Sequence, residues 1–164
     1  MNDRTRLERP RVDENMLEIT RVVALRSTCK RRQVGCVLTD SHNHIIATGY
    51  NGVAKGQVHC LDQPCPGATS ESGTDLDKCL AIHAEANALL QCRFTQEIVT
   101  CYVTTFPCIH CVKLLMNTSC RRIVYIEKYP GGMEIWPHQM ISLEQLKGDK
   151  YGTSRSSYYD PTFR

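Results

Sequence analysis

Three side chains that bind soft or borderline metals, His83, Cys108 and Cys111, fall in two short stretches, Ile82-His83-Ala84-Glu85-Ala86-Asn87-Ala88 and Thr104-Thr105-Phe106-Pro107-Cys108-Ile109-His110-Cys111. One imidazole and two thiolates suit zinc and occupy three tetrahedral positions, leaving the fourth for water, which points to a catalytic rather than a scaffolding ion. Glu85, two residues after the histidine, is not needed as a ligand and stands where a carboxylate can carry protons to and from that water. A cysteine-containing pair of core helices would account for Ala84, Ala88 and Leu89, but not for a His-x-Glu beside a Pro-Cys-x-x-Cys.

These residues need elements to hold them. The pattern predicts a helix beginning near Ala81 with His83 in its first turn, and a strand over 98–103 leading into Pro107, which suits the first turn of the next helix. Cys108 and Cys111, three apart, share one face of that helix, and its N-terminus favours thiolates. His110, between them, is expected to point elsewhere. Residues 122–126 read as another strand, so strand, helix and strand form a right-handed crossover with parallel strands. Upstream, Asp13 is placed to cap a helix carrying Met16, Ile19 and Val23, and 34–38 and 45–47 read as a hairpin around Asp40-Ser41-His42-Asn43, covered on both faces. Downstream, Met140, Leu143 and Leu146 predict one more short helix. The predicted fold class is α/β, a mixed sheet with helices on both faces.

The 164 residues fit one domain, 1–164, with a cysteine-containing insert at about 53–78 and a tail from about 148. So long an unperiodic insert needs a functional or metal-bound reason. Ten cysteines without a secretory leader at the charged start Met1-Asn2-Asp3-Arg4 predict a reduced, cytoplasmic protein, and no apolar run is long enough for a membrane span. A net charge of +3, with basic residues scattered apart from Lys30-Arg31-Arg32 and Arg121-Arg122, argues against a long nucleic-acid footprint, as do the single Trp136 and 7% aromatic content. A small anionic substrate would need only a few of these cations.

Together with Arg26-Ser27-Thr28-Cys29, Val34-Gly35 and Gly49-Tyr50-Asn51-Gly52, these stretches resemble, from about Met16 to Tyr129, the deoxycytidylate (dCMP) deaminase family of the cytidine deaminase superfamily, including its phage and competence-operon relatives. The resemblance implies a three-layer α/β/α cytidine deaminase-like fold with a five-stranded mixed sheet. It implies zinc-dependent hydrolysis of dCMP to dUMP and ammonia, supplying dUMP for thymidylate synthesis. A zinc-activated water would attack C4 of cytosine, with Glu85 accepting its proton and then delivering protons to ring N3 and to the leaving amino group.

The resemblance also assigns Asn51 to the sugar 3′-hydroxyl and Lys128 and Tyr129 to the 5′-phosphate, with Arg26 a further phosphate or effector contact. On residue type alone Asn51 reads equally as a turn asparagine, and Lys128, Tyr129 and Arg26 as solvated surface. Cys29, Cys60, Cys65 and Cys79 match positions where cysteine-rich relatives hold a second, structural zinc, with His59 able to replace one of them; unlinked reduced thiols are the alternative. Cys36, Cys92, Cys101 and Cys120 read as packing thiols. The family further implies a homo-oligomer, commonly a hexamer, activated by dCTP and inhibited by dTTP, with magnesium on the bound triphosphate. Deamination of dCTP, of the free nucleoside or of a tRNA adenosine are the enzymatic alternatives, and a deaminase-like zinc protein used for binding or assembly is the non-enzymatic one.

Overall fold

A computed structural model describes residues 9–71, 74–129 and 141–146. Five strands, β1 (Gly35–Thr39), β2 (Ile45–Tyr50), β3 (Thr100–Thr105), β4 (Arg122–Glu127) and β5 (Ser142–Gln145), form one sheet in the order β2-β1-β3-β4-β5. β1 pairs antiparallel with β2 and β3, whereas β3, β4 and β5 run parallel, so the sheet is mixed as expected. Helix α1 (Val12–Ala24) covers one face, where Leu17 meets Val37, Tyr102 and Val124. Helices α2 (Ala84–Gln91) and α3 (Ile109–Met116) cover the other through Ala84, Ala88, Val112 and Leu115 packed on Cys36, Leu38, Val103 and Ile123. Central strands buried from both sides explain the unbroken apolar runs of β1 and β4. β2 is an edge strand and is only half covered.

Two glycines set the layer spacing. A Cβ on Gly35 would stand 2.2 Å from the Thr20 carbonyl oxygen of α1, and one on Gly49 would stand 2.3 Å from the Ala84 carbonyl oxygen of α2. The helices therefore rest directly on strand backbone, on opposite faces.

The segment holding Leu143 and Leu146 is a strand and not the predicted helix; Met140 and the tail from about 148 lie outside the described residues. A spacing of three fits a helix face, but in a strand it places side chains on opposite faces. Both faces here are covered, so Leu143 packs with the α2 and α3 layer and Leu146 with the α1 layer. The parallel edge of β4 supplies the backbone partners that decide for the strand.

Asp13 is likewise not the cap of α1. Arg11 takes that position, and Asp13 in the first turn accepts hydrogen bonds from the Tyr102 hydroxyl (2.8 Å) and from Arg122 Nη1 (2.7 Å) and Nη2 (2.8 Å). Arg122 also donates to Glu144 of β5 through Nε (2.7 Å) and Nη2 (2.6 Å), tying α1, β3, β4 and β5 together. Arg122 holds the Asp13 and Glu144 carboxyls below their ordinary values. A carboxyl with a depressed folded pKa contributes stability above its unfolded pKa and loses it as pH falls through the folded one. Asp13→Asn is therefore expected to cost about 1–3 kcal/mol at neutral pH and less in acid, checked by urea melts at pH 7 and pH 3. Equal costs at both pH values would refute the ionic account.

Candidate active site

His83 is the N-cap of α2 and Cys108 the N-cap of α3, with Cys111 in the first turn of α3. α2 starts at Ala84 rather than near Ala81 because Ile82 is held in an extended bridge with Gly52, the Ile82 N–H donating to the Gly52 carbonyl at 2.8 Å and the Ile82 carbonyl accepting from the Gly52 N–H at 3.1 Å. Asn87 adds a brace by donating from Nδ2 to the Tyr50 carbonyl at 2.8 Å. On the other side, Phe106 N–H donates to the Glu127 carbonyl at 2.8 Å, fixing the turn between β3 and α3. Both helix starts thereby face one point.

His83 Nδ1 lies 3.3 Å from Cys108 Sγ and 3.5 Å from Cys111 Sγ, and the donor atoms of the three residues all fall within 4.8 Å of one another. A tetrahedral zinc with its usual bonds of about 2.0–2.3 Å needs donors in this range, so the trio fits the ion in both chemistry and spacing. Hydrogen bonding from the Cys111 thiol and from His83 pulls the Cys108 thiol down to about 3, while Cys111, sharing that proton with Cys108, is pushed up. Contact with Cys108 raises His83. His110 is exposed and stands apart from the trio.

Glu85 is 3% exposed in the first turn of α2, and burial pushes its carboxyl above the ordinary value. It lines a cavity of about 190 Å³ together with His83, Cys108, Asn51, Phe106 and Tyr129. A buried carboxyl beside a metal-binding trio is placed to take and give a proton there.

Asn51 has the most committed side chain in this region. Its Oδ1 accepts from Ser27 Oγ (2.7 Å) and from Val34 N–H (2.8 Å), and its Nδ2 donates to the Arg32 carbonyl (2.7 Å). These bonds connect the Arg26-Ser27-Thr28-Cys29 stretch to Gly49-Tyr50-Asn51-Gly52, and one Nδ2 hydrogen is left over. Tyr129 lines the cavity, whereas Lys128 and Arg26 are exposed and are not part of its wall. Arg31 and Arg32 are part of that wall, and the sequence reading passed over them as members of a basic triplet. The signal was their place just after Arg26-Ser27-Thr28-Cys29.

The four cysteines of the possible second site are brought together in part. Cys60 and Cys65 sulfurs stand 3.6 Å apart, and Cys29 and Cys79 reach the cavity wall. No three of these sulfurs lie mutually within 4.8 Å, so the four do not form a closed tetrahedron. His59 is exposed and lies 4.0 Å from Asp62. Cys36, Cys101 and Cys120 are fully buried and Cys92 is half-buried, as expected of packing thiols, and all ten cysteines are free. Among the described residues, no helix is long and apolar enough to cross a membrane.

Residues 10–127 match the family described as cytidine and deoxycytidylate deaminase zinc-binding region. Deoxycytidylate deaminase of Schizosaccharomyces pombe is 39% identical over 126 residues, which cover 74% of this chain and 38% of the yeast protein; the chain thus spans about two fifths of that relative. Deoxycytidylate deaminase of Mycobacterium phage D29 is 38% identical over 126 residues, covering 73% of this chain and 97% of the phage protein. The crystal structure of dCMP deaminase from cyanophage S-TIM5 in complex with dCMP and dUMP shares the fold, with a TM-score of 0.64 at 20% identity over 84% of this chain and 98% of that one. With a matched zinc trio, a buried glutamate beside it and a family match over most of its length, this chain belongs to the cytidine and deoxycytidylate deaminase family.

Proposed function

We propose that the protein hydrolyses dCMP to dUMP and ammonia. The observation that carries this reading is the buried Glu85 on the wall of the cavity that also receives His83 and Cys108. His83, Cys108 and Cys111 would hold zinc, which when bound supplies a Lewis acid that brings water toward ionisation at neutral pH. Glu85 takes a proton from the attacking water and passes it to ring N3 as the C4–O bond forms; it then takes the remaining hydroxyl proton of the C4 adduct and passes it to the amino group, so that the C4–N bond breaks, ammonia leaves and the C4 carbonyl forms. One carboxylate thereby serves as base and then as acid, and burial suits it to both. Phe106, 1% exposed, gives the base an apolar wall, and the spare Nδ2 hydrogen of Asn51 is available to a sugar hydroxyl.

The same reading carries the family's further properties: a homo-oligomer, expected to be a hexamer, with dCTP activating, dTTP inhibiting and magnesium accompanying the bound triphosphate. A second, structural zinc on Cys29, Cys60, Cys65 and Cys79 is supported by the adjacency of the Cys60 and Cys65 sulfurs, 3.6 Å apart.

The test is ammonia release by the zinc-loaded protein from dCMP, dCTP, deoxycytidine and a tRNA anticodon stem, each with and without dCTP or dTTP, with metal counted per chain. Turnover of dCMP that rises with dCTP and falls with dTTP, at two zinc ions per chain, is the expected result. Failure to deaminate any cytosine nucleotide overturns the reading, and one zinc per chain removes the second site.

A further inference from the structure

The tip of the hairpin between β1 and β2 gathers a second set of metal-binding side chains, Asp40, His42 and His44. One ligand atom from each lies within 4.8 Å of the other two, and among the described residues only His83, Cys108 and Cys111 gather as closely. The two sets sit at opposite ends of β2, which starts beside His44 and ends beside Asn51 on the cavity wall. At about 3.3 Å per strand residue the tip stands about 20 Å from that wall.

The turn itself fixes the carboxylate. Asp40 N–H donates to the His44 carbonyl at 3.1 Å and Asn43 N–H to the Asp40 carbonyl at 3.2 Å, while Asn43 takes a left-handed φ of 63°, which asparagine tolerates. Asp40 Oδ1 accepts the backbone N–H groups of His42 (2.8 Å) and His44 (2.9 Å), so this oxygen is spoken for. Oδ2 is left facing His44 Nδ1 at 3.1 Å, a separation that suits two ligands on one ion with bonds of about 2.0–2.2 Å. The His42 and His44 rings stack, their centroids 5.8 Å apart and their planes 21° from parallel. The His44 side chain is 75% exposed and that of Asp40 only 18%, so an ion arriving from solvent meets the imidazoles with the carboxylate beneath them.

The donor set decides which ion fits. Mg²⁺ and Ca²⁺ demand mostly oxygen ligands, and without a thiolate the set has no pull on soft ions. Two imidazoles and one carboxylate oxygen suit borderline divalent ions toward the end of the first transition row. We infer that Asp40, His42 and His44 form an exchangeable surface site for a late first-row divalent metal ion such as Ni²⁺, separate from the zinc trio and from deamination. An ion held there ties the end of β1 to the start of the edge strand β2.

The experiment titrates Ni²⁺ into the zinc-loaded, desalted full chain by calorimetry, in the wild type, His42→Gln, His44→Gln and Asp40→Asn, with zinc released to solution measured throughout. All three changes lie in a surface turn, and the asparagine oxygen in Asp40→Asn can still accept the two backbone N–H groups. The wild type is expected to bind one Ni²⁺ per chain at this tip without releasing zinc. Each variant is expected to bind it at least about 10-fold more weakly, since changes outside the ligand shell alone cost about 10- to 100-fold. Untagged wild-type protein should also be retained on immobilised Ni²⁺ more strongly than any variant. Absence of Ni²⁺ binding in the wild type, or an affinity unchanged in any one of the three variants, overturns the three-ligand site. Uptake matched by zinc release overturns it too, because the ion has then entered a thiolate centre.

Discussion

Glu85→Gln is expected to lower dCMP turnover by about 10²- to 10⁴-fold, the usual contribution of a positioned general acid–base, while leaving zinc content and fold intact. The amide has the size and hydrogen-bonding reach of the carboxylate, so the packing of α2 through Ala84 and Ala88 is undisturbed. What it lacks is a site that can accept the proton of the attacking water. Because Glu85 is 3% exposed, removing its charge also removes a desolvation cost, so the melting temperature should hold or rise. Ammonia release, zinc per chain and a thermal melt on the same preparation check all three statements. Turnover at the wild-type rate would take the proton shuttle away from Glu85, and loss of zinc would make it a structural residue.

Gly49→Ala is expected to cost about 3 kcal/mol or more and to lower zinc occupancy as well. An added Cβ would meet the Ala84 carbonyl oxygen at 2.3 Å and the Ala88 nitrogen at 2.4 Å, both backbone atoms that cannot swing aside. Relief requires α2 to lift from β2, and α2 carries Glu85 with His83 at its cap. Gly35→Ala is the control: its clash, 2.2 Å from the Thr20 carbonyl oxygen, pushes on α1 on the opposite face. Both variants should be destabilised in urea, but only Gly49→Ala should bind less zinc at a denaturant concentration where each is still folded. Equal zinc occupancy in the two would separate layer spacing from the metal centre.

The sequence by itself picked out the residues that come together in the candidate centre. Metal ligation and proton transfer admit few residue types, and helix starts fix their spacing, so His83, Glu85, Cys108 and Cys111 could be named before any fold was known. It also determined most of the layers, because strands buried on both faces and helices buried on one leave different periodicities. Short edge elements were not legible: Leu143 and Leu146 have helical spacing, and only the free parallel edge of β4 made them a strand. Nor was the placement of Asn51 or of Arg31 and Arg32. An asparagine in a Tyr-Asn-Gly run reads as a turn and a basic triplet reads as solvated surface, since residue type carries no record of which partner comes near. The tertiary structure decided these cases by bringing Ser27, Arg32 and Val34 around one side-chain amide and by placing Arg31 and Arg32 on the cavity wall.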